Sequence, residues 1–145
     1  MLETFIQRQM DSIPFMQRTG VRIVEASRGY GKSLMPLAGN ENHVGGMYIG
    51  ALSTLAEAGA AVAISTILDF ERFFPVISRM ELDFQKPAMS DVTAAYRLDE
   101  AQIESLLREL EETTRCTYTA DLPMLDADEQ VVARAAVTVK VLSHR

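Results

Sequence analysis

Over the first dozen residues Leu2, Phe5, Ile6 and Met10 recur at steps of three and four, which predicts an amphipathic helix ending near Pro14. The pattern then shortens. Two β-rich runs at about 21–26 and 30–37 are joined by Ser27-Arg28-Gly29, a glycine-bearing loop that reads as a hairpin. From Met47 to Leu68 the chain is apolar all round and rich in alanine, which predicts a long helix buried inside the domain. After Pro75 the run VISRMELDF alternates. Val76, Ser78, Met80, Leu82 and Phe84 fall on one face, with Arg79, Glu81 and Asp83 on the other, as in a strand with one wet face. DVTAAYRL is another strand, aligning Val92, Ala94, Tyr96 and Leu98. Asp99, with Gln102 three residues on, reads as a capping box that opens a second amphipathic helix striped by Ile103, Leu106, Leu107 and Leu110. Two last β-rich runs, TRCTYTADLPML and QVVARAAVTVKVL, flank the turn Asp126-Ala127-Asp128-Glu129.

The resulting order is α-β-β-α-β-β-α-β-β. No linker, internal repeat or low-complexity segment interrupts it, so residues 1–145 read as a single domain. A helix that is apolar on every side must be wrapped, and strands with one wet face make a sheet one layer thick. The expected class is therefore α+β. A curved antiparallel sheet of about six strands wraps one long central helix, with an N-terminal helix and an extra helix between strands 4 and 5. That arrangement is the hotdog fold.

Composition narrows the function. An apolar fraction of 48% supports a real core, and a net charge of -6 with pI about 4.9 disfavours nucleic-acid partners. One cysteine, Cys116, excludes an internal disulfide framework and suits a reducing cytoplasm. No zinc-type pairing of Cys and His exists, and neither a metal nor an organic cofactor is implied. The N-terminus lacks a basic region followed by an apolar block, so no secretory signal is expected and the localisation expected is cytoplasmic. Residues 47–68 have about the length of a membrane span. Their alanines are broken by Gly50, Gly59, Ser53, Thr54, Ser65 and Thr66, and Glu57 sits mid-stretch. A central acid costs roughly 2.5–3.5 kcal/mol on insertion, so no membrane partner is expected.

Glu57 is thus the lone carboxylate of an apolar helix, and its surroundings carry a resemblance. Asn42 is followed six residues on by Tyr48; Glu57 comes nine residues after Tyr48, within Leu55-Ala56-Glu57; Gly50 stands two after Tyr48. This resembles hotdog acyl-CoA thioesterases of the phenylacetate-pathway type and related uncharacterised hotdog domains. Their signature is an Asn, then His-Gly-Gly six residues later, then an acid nine after the His. Asn42, Gly50 and Glu57 match it, while Tyr48 replaces the His and Ile49 the first Gly. The helix opened by Asp99 also resembles the uncharacterised branch.

The resemblance implies hydrolysis of an acyl-CoA or acyl-carrier-protein thioester. Backbone N–H groups at the helix N-terminus would form an oxyanion hole, with Gly50 admitting the substrate. Asn42 would supply a donor or hold the water. Glu57 would be general base or nucleophile, its pKa raised by an apolar setting. Tyr48, Ile49, His43 and Gly46 are the candidate substrate-binding residues. Each has a plainer reading too. Glu57 would anchor on a backbone amide or on Arg79, Asn42 would cap a turn, Gly45, Gly46 and Gly50 would serve turns and packing, and Tyr48 would wall a pocket.

Two other functions fit. His43 precedes Glu57 by fourteen residues, and His43-Val44-Gly45-Gly46 matches the His-x-x-Gly of hotdog hydroxyacyl dehydratases, in which a His and an acid move a proton and water. A non-catalytic acyl-CoA or lipid binder is the third. A lone hotdog leaves sheet edges unpaired, so a homodimer, or a tetramer of two dimers, is expected, with active sites between subunits.

Overall fold

The computed structural model describes residues 2–145. Two helices, α1 (Leu2–Asp11) and α2 (Pro14–Thr19), precede the hairpin β1 (Arg22–Ser27) and β2 (Tyr30–Met35). The central helix α3 (Ile49–Ser65) comes next, then β3 (Phe73–Phe84), β4 (Val92–Arg97), α4 (Glu100–Thr113), β5 (Cys116–Leu125) and β6 (Val131–Ser143). The strands make one antiparallel sheet in the order β1-β2-β4-β5-β6-β3. This is the hotdog arrangement, with α3 as its filling.

Helix α3 is buried along its length because nearly every position is apolar or small. Leu55, Ala56, Ala60, Ala63 and Ile64 are fully enclosed. Helix and sheet come close where side chains vanish. A Cβ on Gly59 would lie 2.8 Å from the Ala94 methyl, and one on Gly31 would lie 2.7 Å from Val62 Cβ. Among the described residues no helix is long and apolar enough to cross a membrane.

The second amphipathic helix forms as its cap predicts. Asp99 Oδ1 accepts from the Gln102 amide at 2.8 Å, and Gln102 Oε1 accepts from the Asp99 amide at 2.9 Å. Its stripe of Ile103, Leu106 and Leu110 is buried.

Three details differ from the sequence pattern. Pro14 begins a helix as well as following one: it sits at the first position of α2, where its missing N–H costs nothing. The hairpin loop is two residues long, because Ser27 pairs with Tyr30, and Gly29 takes the left-handed φ of 73°. Strand β3 carries a bulge between Ile77 and Arg79. One extra residue shifts the side-chain phase. Ile77, not Val76 or Ser78, therefore packs on the core beside Met80 and Leu82. Their partners on β6, Val139, Val137 and Ala135, are all buried.

The two sheet edges are unequal. At the β1 edge, Gln7 of α1 hydrogen-bonds the backbone as a strand would: its Oε1 accepts from the Ile23 amide at 2.7 Å, and its Nε2 donates to the Val21 carbonyl at 3.3 Å. At the other edge β3 runs for 12 residues with a strand on one side only.

Candidate functional site

Helix α3 starts without a side-chain cap. Tyr48 is its N-cap in extended conformation, and its carbonyl accepts from the amides of Ala51 at 3.0 Å and Leu52 at 3.1 Å. Among the described residues the amides of Ile49 and Gly50 find no acceptor. Two adjacent N–H donors therefore point outward at the positive end of a 17-residue helix. The exposed Tyr48 ring lies over Gly50, where a Cβ would come within 2.7 Å of Tyr48 Cε2.

The preceding loop is tightly tied. The Tyr48 amide donates to the Asn40 carbonyl at 2.8 Å, and Asn40 Nδ2 donates to the carbonyls of Thr19 and Pro36, both at 2.8 Å. Asn42 organises the turn ahead of it: Oδ1 accepts from the amides of Val44 at 2.9 Å and Gly46 at 3.1 Å. The turn-forming reading of Asn42 thus holds for its oxygen, while its Nδ2 makes no hydrogen bond among the described residues, and the residue borders an open recess. That recess, about 380 Å³, is shared by Asn42, Ile49, Leu52, Phe84 and Lys86. Gly46 is buried in the turn, and His43 is exposed and lines no recess with Glu57.

Glu57 lies two turns deeper. It is half-buried, with no hydrogen bond or ion pair among the described residues, and it meets neither a backbone amide nor Arg79, which is exposed. Burial among apolar neighbours holds its carboxyl above the ordinary carboxylate range. It faces a second and separate cavity of about 370 Å³, walled by α1, α2, α3 and the start of β3. His144, beyond the last strand, also lines this cavity. Nothing in the sequence marks His144 or the N-terminal helices, because they reach Glu57 only through long-range folding.

The structure therefore brings Tyr48, Ile49 and Gly50 together with Asn42 at the start of α3, and sets Glu57 apart. Seven residues of helix separate Gly50 from Glu57, about 10 Å of rise. Within one chain they do not meet on one carbonyl.

One antiparallel sheet wrapped around a central helix defines the class by architecture: a hotdog-fold protein. The whole chain can be set among known relatives. Residues 3–141 match the family described as Domain of unknown function (DUF4442), and the chain belongs to that family. It is 37% identical to a Pseudomonas aeruginosa protein of unknown function described as a probable thioesterase, with 97% of this chain and 95% of that one covered and a TM-score of 0.87. A Haemophilus influenzae thioesterase shares the fold at 16% identity and a TM-score of 0.74, over 97% of this chain and 90% of that one. So does a mutant form of the phenylacetic acid degradation protein PaaI of Thermus thermophilus, at 20% identity and 0.64, over 88% and 97%. No curated protein matches the chain.

Proposed function

We propose that this protein hydrolyses acyl thioesters, carried on coenzyme A or on an acyl-carrier protein. The observation that carries the reading is Glu57. A half-buried carboxyl without a protein partner is costly to keep, and here it faces an apolar cavity large enough for an acyl group. The likeness to proteins described as thioesterases supports the same reading.

In this reading the thioester oxygen sits against the free amides of Ile49 and Gly50, where negative charge develops as the carbonyl carbon becomes tetrahedral. Glu57 takes a proton from water as the water oxygen bonds to that carbon. The C–S bond then breaks and the thiolate leaves, collecting the proton from Glu57. In the covalent variant the carboxylate attacks the carbonyl carbon first and the C–S bond breaks, expelling the thiolate; water then opens the mixed anhydride, freeing the acid and the Glu57 carboxylate, and its proton goes to the thiolate. Asn42 Nδ2 holds the water or the substrate carbonyl.

In this reading two chains bridge the ~10 Å between Gly50 and Glu57. The β1 edge is already occupied by Gln7, so the open β3 edge is the one left to pair with a second copy. Two β3 strands pairing antiparallel lay the central helices side by side in opposite directions. That brings Glu57 of one chain toward the helix start of its partner. The protein then acts as a homodimer with two shared sites, and further pairing would make a tetramer.

Purified protein offered a panel of acyl-CoAs should release free thiol. Thermal stabilisation by acyl-CoA without thiol release would replace this reading with that of a binder. An enoyl absorbance change that is abolished by His43→Ala would replace it with a dehydratase.

A further inference from the structure

We infer that the cavity beside Glu57 measures the acyl chain, and that its dimensions select a linear, medium-length chain of about ten carbons. The inference rests on the thioesterase reading and deepens it.

The cavity follows one stripe of α3: Glu57, Ala58, Ala61, Val62 and Ser65 all line it. The floor is made of small residues, so a trough remains where larger side chains would close it. The opposite wall is Ile6, Gln9 and Met10 of α1, then Ser12, and Ile13 and Met16 at α2, and the two methionines can reshape around a flexible chain. Phe70, Phe74 and His144 line the end beyond Ser65. Phe5 of α1 sets its ring edge-on to Phe70 at 5.5 Å, tying the wall to that end.

At the far end the polar groups are already engaged: Ser65 Oγ donates to the Ala61 carbonyl at 2.8 Å, and His144 Nε2 lies 3.0 Å from the Phe70 carbonyl. The His144 ring also lies on Phe74, 4.9 Å between centroids. Glu57, at the near end, has no such partner. An unpartnered carboxyl at one end and engaged polar groups with two phenylalanines at the other suit a chain that enters tail first and leaves its carbonyl beside Glu57.

Length follows from the helix. Glu57 to Ser65 is eight residues, about 12 Å of rise. An all-trans chain advances about 3.8 Å per three bonds, so such a trough takes about ten carbons. A volume of about 370 Å³ lies near the small end of ligand pockets, which disfavours long chains. An acetyl group would leave most of the apolar wall uncovered.

The test is a series of straight-chain acyl-CoAs from two to sixteen carbons, with phenylacetyl-CoA beside them. In the wild type kcat/KM should climb about fourfold per methylene and level off near ten carbons. Ala61→Phe blocks the trough midway and should lower the decanoyl-to-butanoyl ratio of kcat/KM at least tenfold. Phe74→Ala widens the end beyond Ser65 and should move the optimum to longer chains. Should Ala61→Phe fail to fold, Ile13→Trp narrows the same trough from its exposed rim. Turnover with a flat length profile, a preference for phenylacetyl, or a ratio unmoved by these variants would overturn the inference and leave the thioesterase reading standing. No thiol release from any member would overturn both.

Discussion

Tyr118 reaches from β5 into the central helix and donates its hydroxyl to the Ala60 carbonyl at 2.7 Å, one turn beyond Glu57. Burial pushes the ionisation of this phenol well above the ordinary value. The ring stacks on Tyr96 of β4 at 6.0 Å. Sheet and helix are thus pinned together close to the candidate base. Tyr118→Phe keeps the stack and removes the pin. The expected loss is about 1 kcal/mol, a fall in Tm of about 3 °C measured by calorimetry.

The close approach of β2 to α3 makes a sharper prediction. Gly31 faces Val62 so directly that an added methyl cannot be placed without movement. Gly31→Ala should cost about 1–3 kcal/mol by overpacking. Val62→Ala in the same chain should recover part of that loss, although on its own it opens a cavity and destabilises. A double-mutant cycle in urea gives the coupling. Additive losses would mean that the helix shifts bodily to make room.

Burial and period are legible wherever one residue decides one face. Val92, Ala94 and Leu98 are buried as their alternation predicts, and the Asp99 box caps its helix as the spacing requires. The first half of β3 departs from its alternation because a bulge leaves no mark in composition, and Ser78 fits either face. Pro14 is ambiguous because proline both follows and opens helices. In the site, Glu57 stands out as a lone acid in an alanine-rich helix. Its wall does not: Met10, Met16 and His144 meet α3 only after the chain has closed on itself, so no local spacing links them.

The raised Glu57 carboxyl couples stability to pH. Its folded pKa lies above the unfolded one, so the folded state holds its proton more tightly and loses stability as pH rises from the unfolded value through the folded one. Glu57→Gln removes that penalty. Its Tm should exceed the wild-type value near pH 7.5, and the gain should vanish by about pH 3, where the wild-type carboxyl is neutral in both the folded and the unfolded state. Activity runs the opposite way. A base must be ionised, so wild-type kcat/KM should rise with pH through a midpoint above the ordinary carboxylate range, and Glu57→Gln should lower kcat by about 10²-fold or more. Glu57→Asp should retain part of the activity. A Gln variant that is less stable at neutral pH and fully active would make Glu57 a structural anchor.

The separation of Gly50 and Glu57 along α3 yields the decisive test of assembly. If each site takes its amides from one chain and its acid from the other, two different inactive variants can complement each other. Glu57→Gln supplies intact amides; Gly50→Leu supplies an intact acid while its side chain covers the donors. Added at Gly50, the side chain meets only the exposed Tyr48 ring, which can swing away, so the variant should fold. Each should be nearly inactive alone, and each should have the mass of a dimer by light scattering. Mixed at equal amounts and allowed to exchange chains, about a quarter of the sites combine a good acid with good amides, so activity should return to about a quarter of the wild-type value. Recovery requires that the chains exchange, which mass spectrometry of an isotope-labelled partner would verify. Full exchange without recovery would place acid and amides in unconnected roles. A monomeric mass at micromolar concentration would remove the shared site altogether.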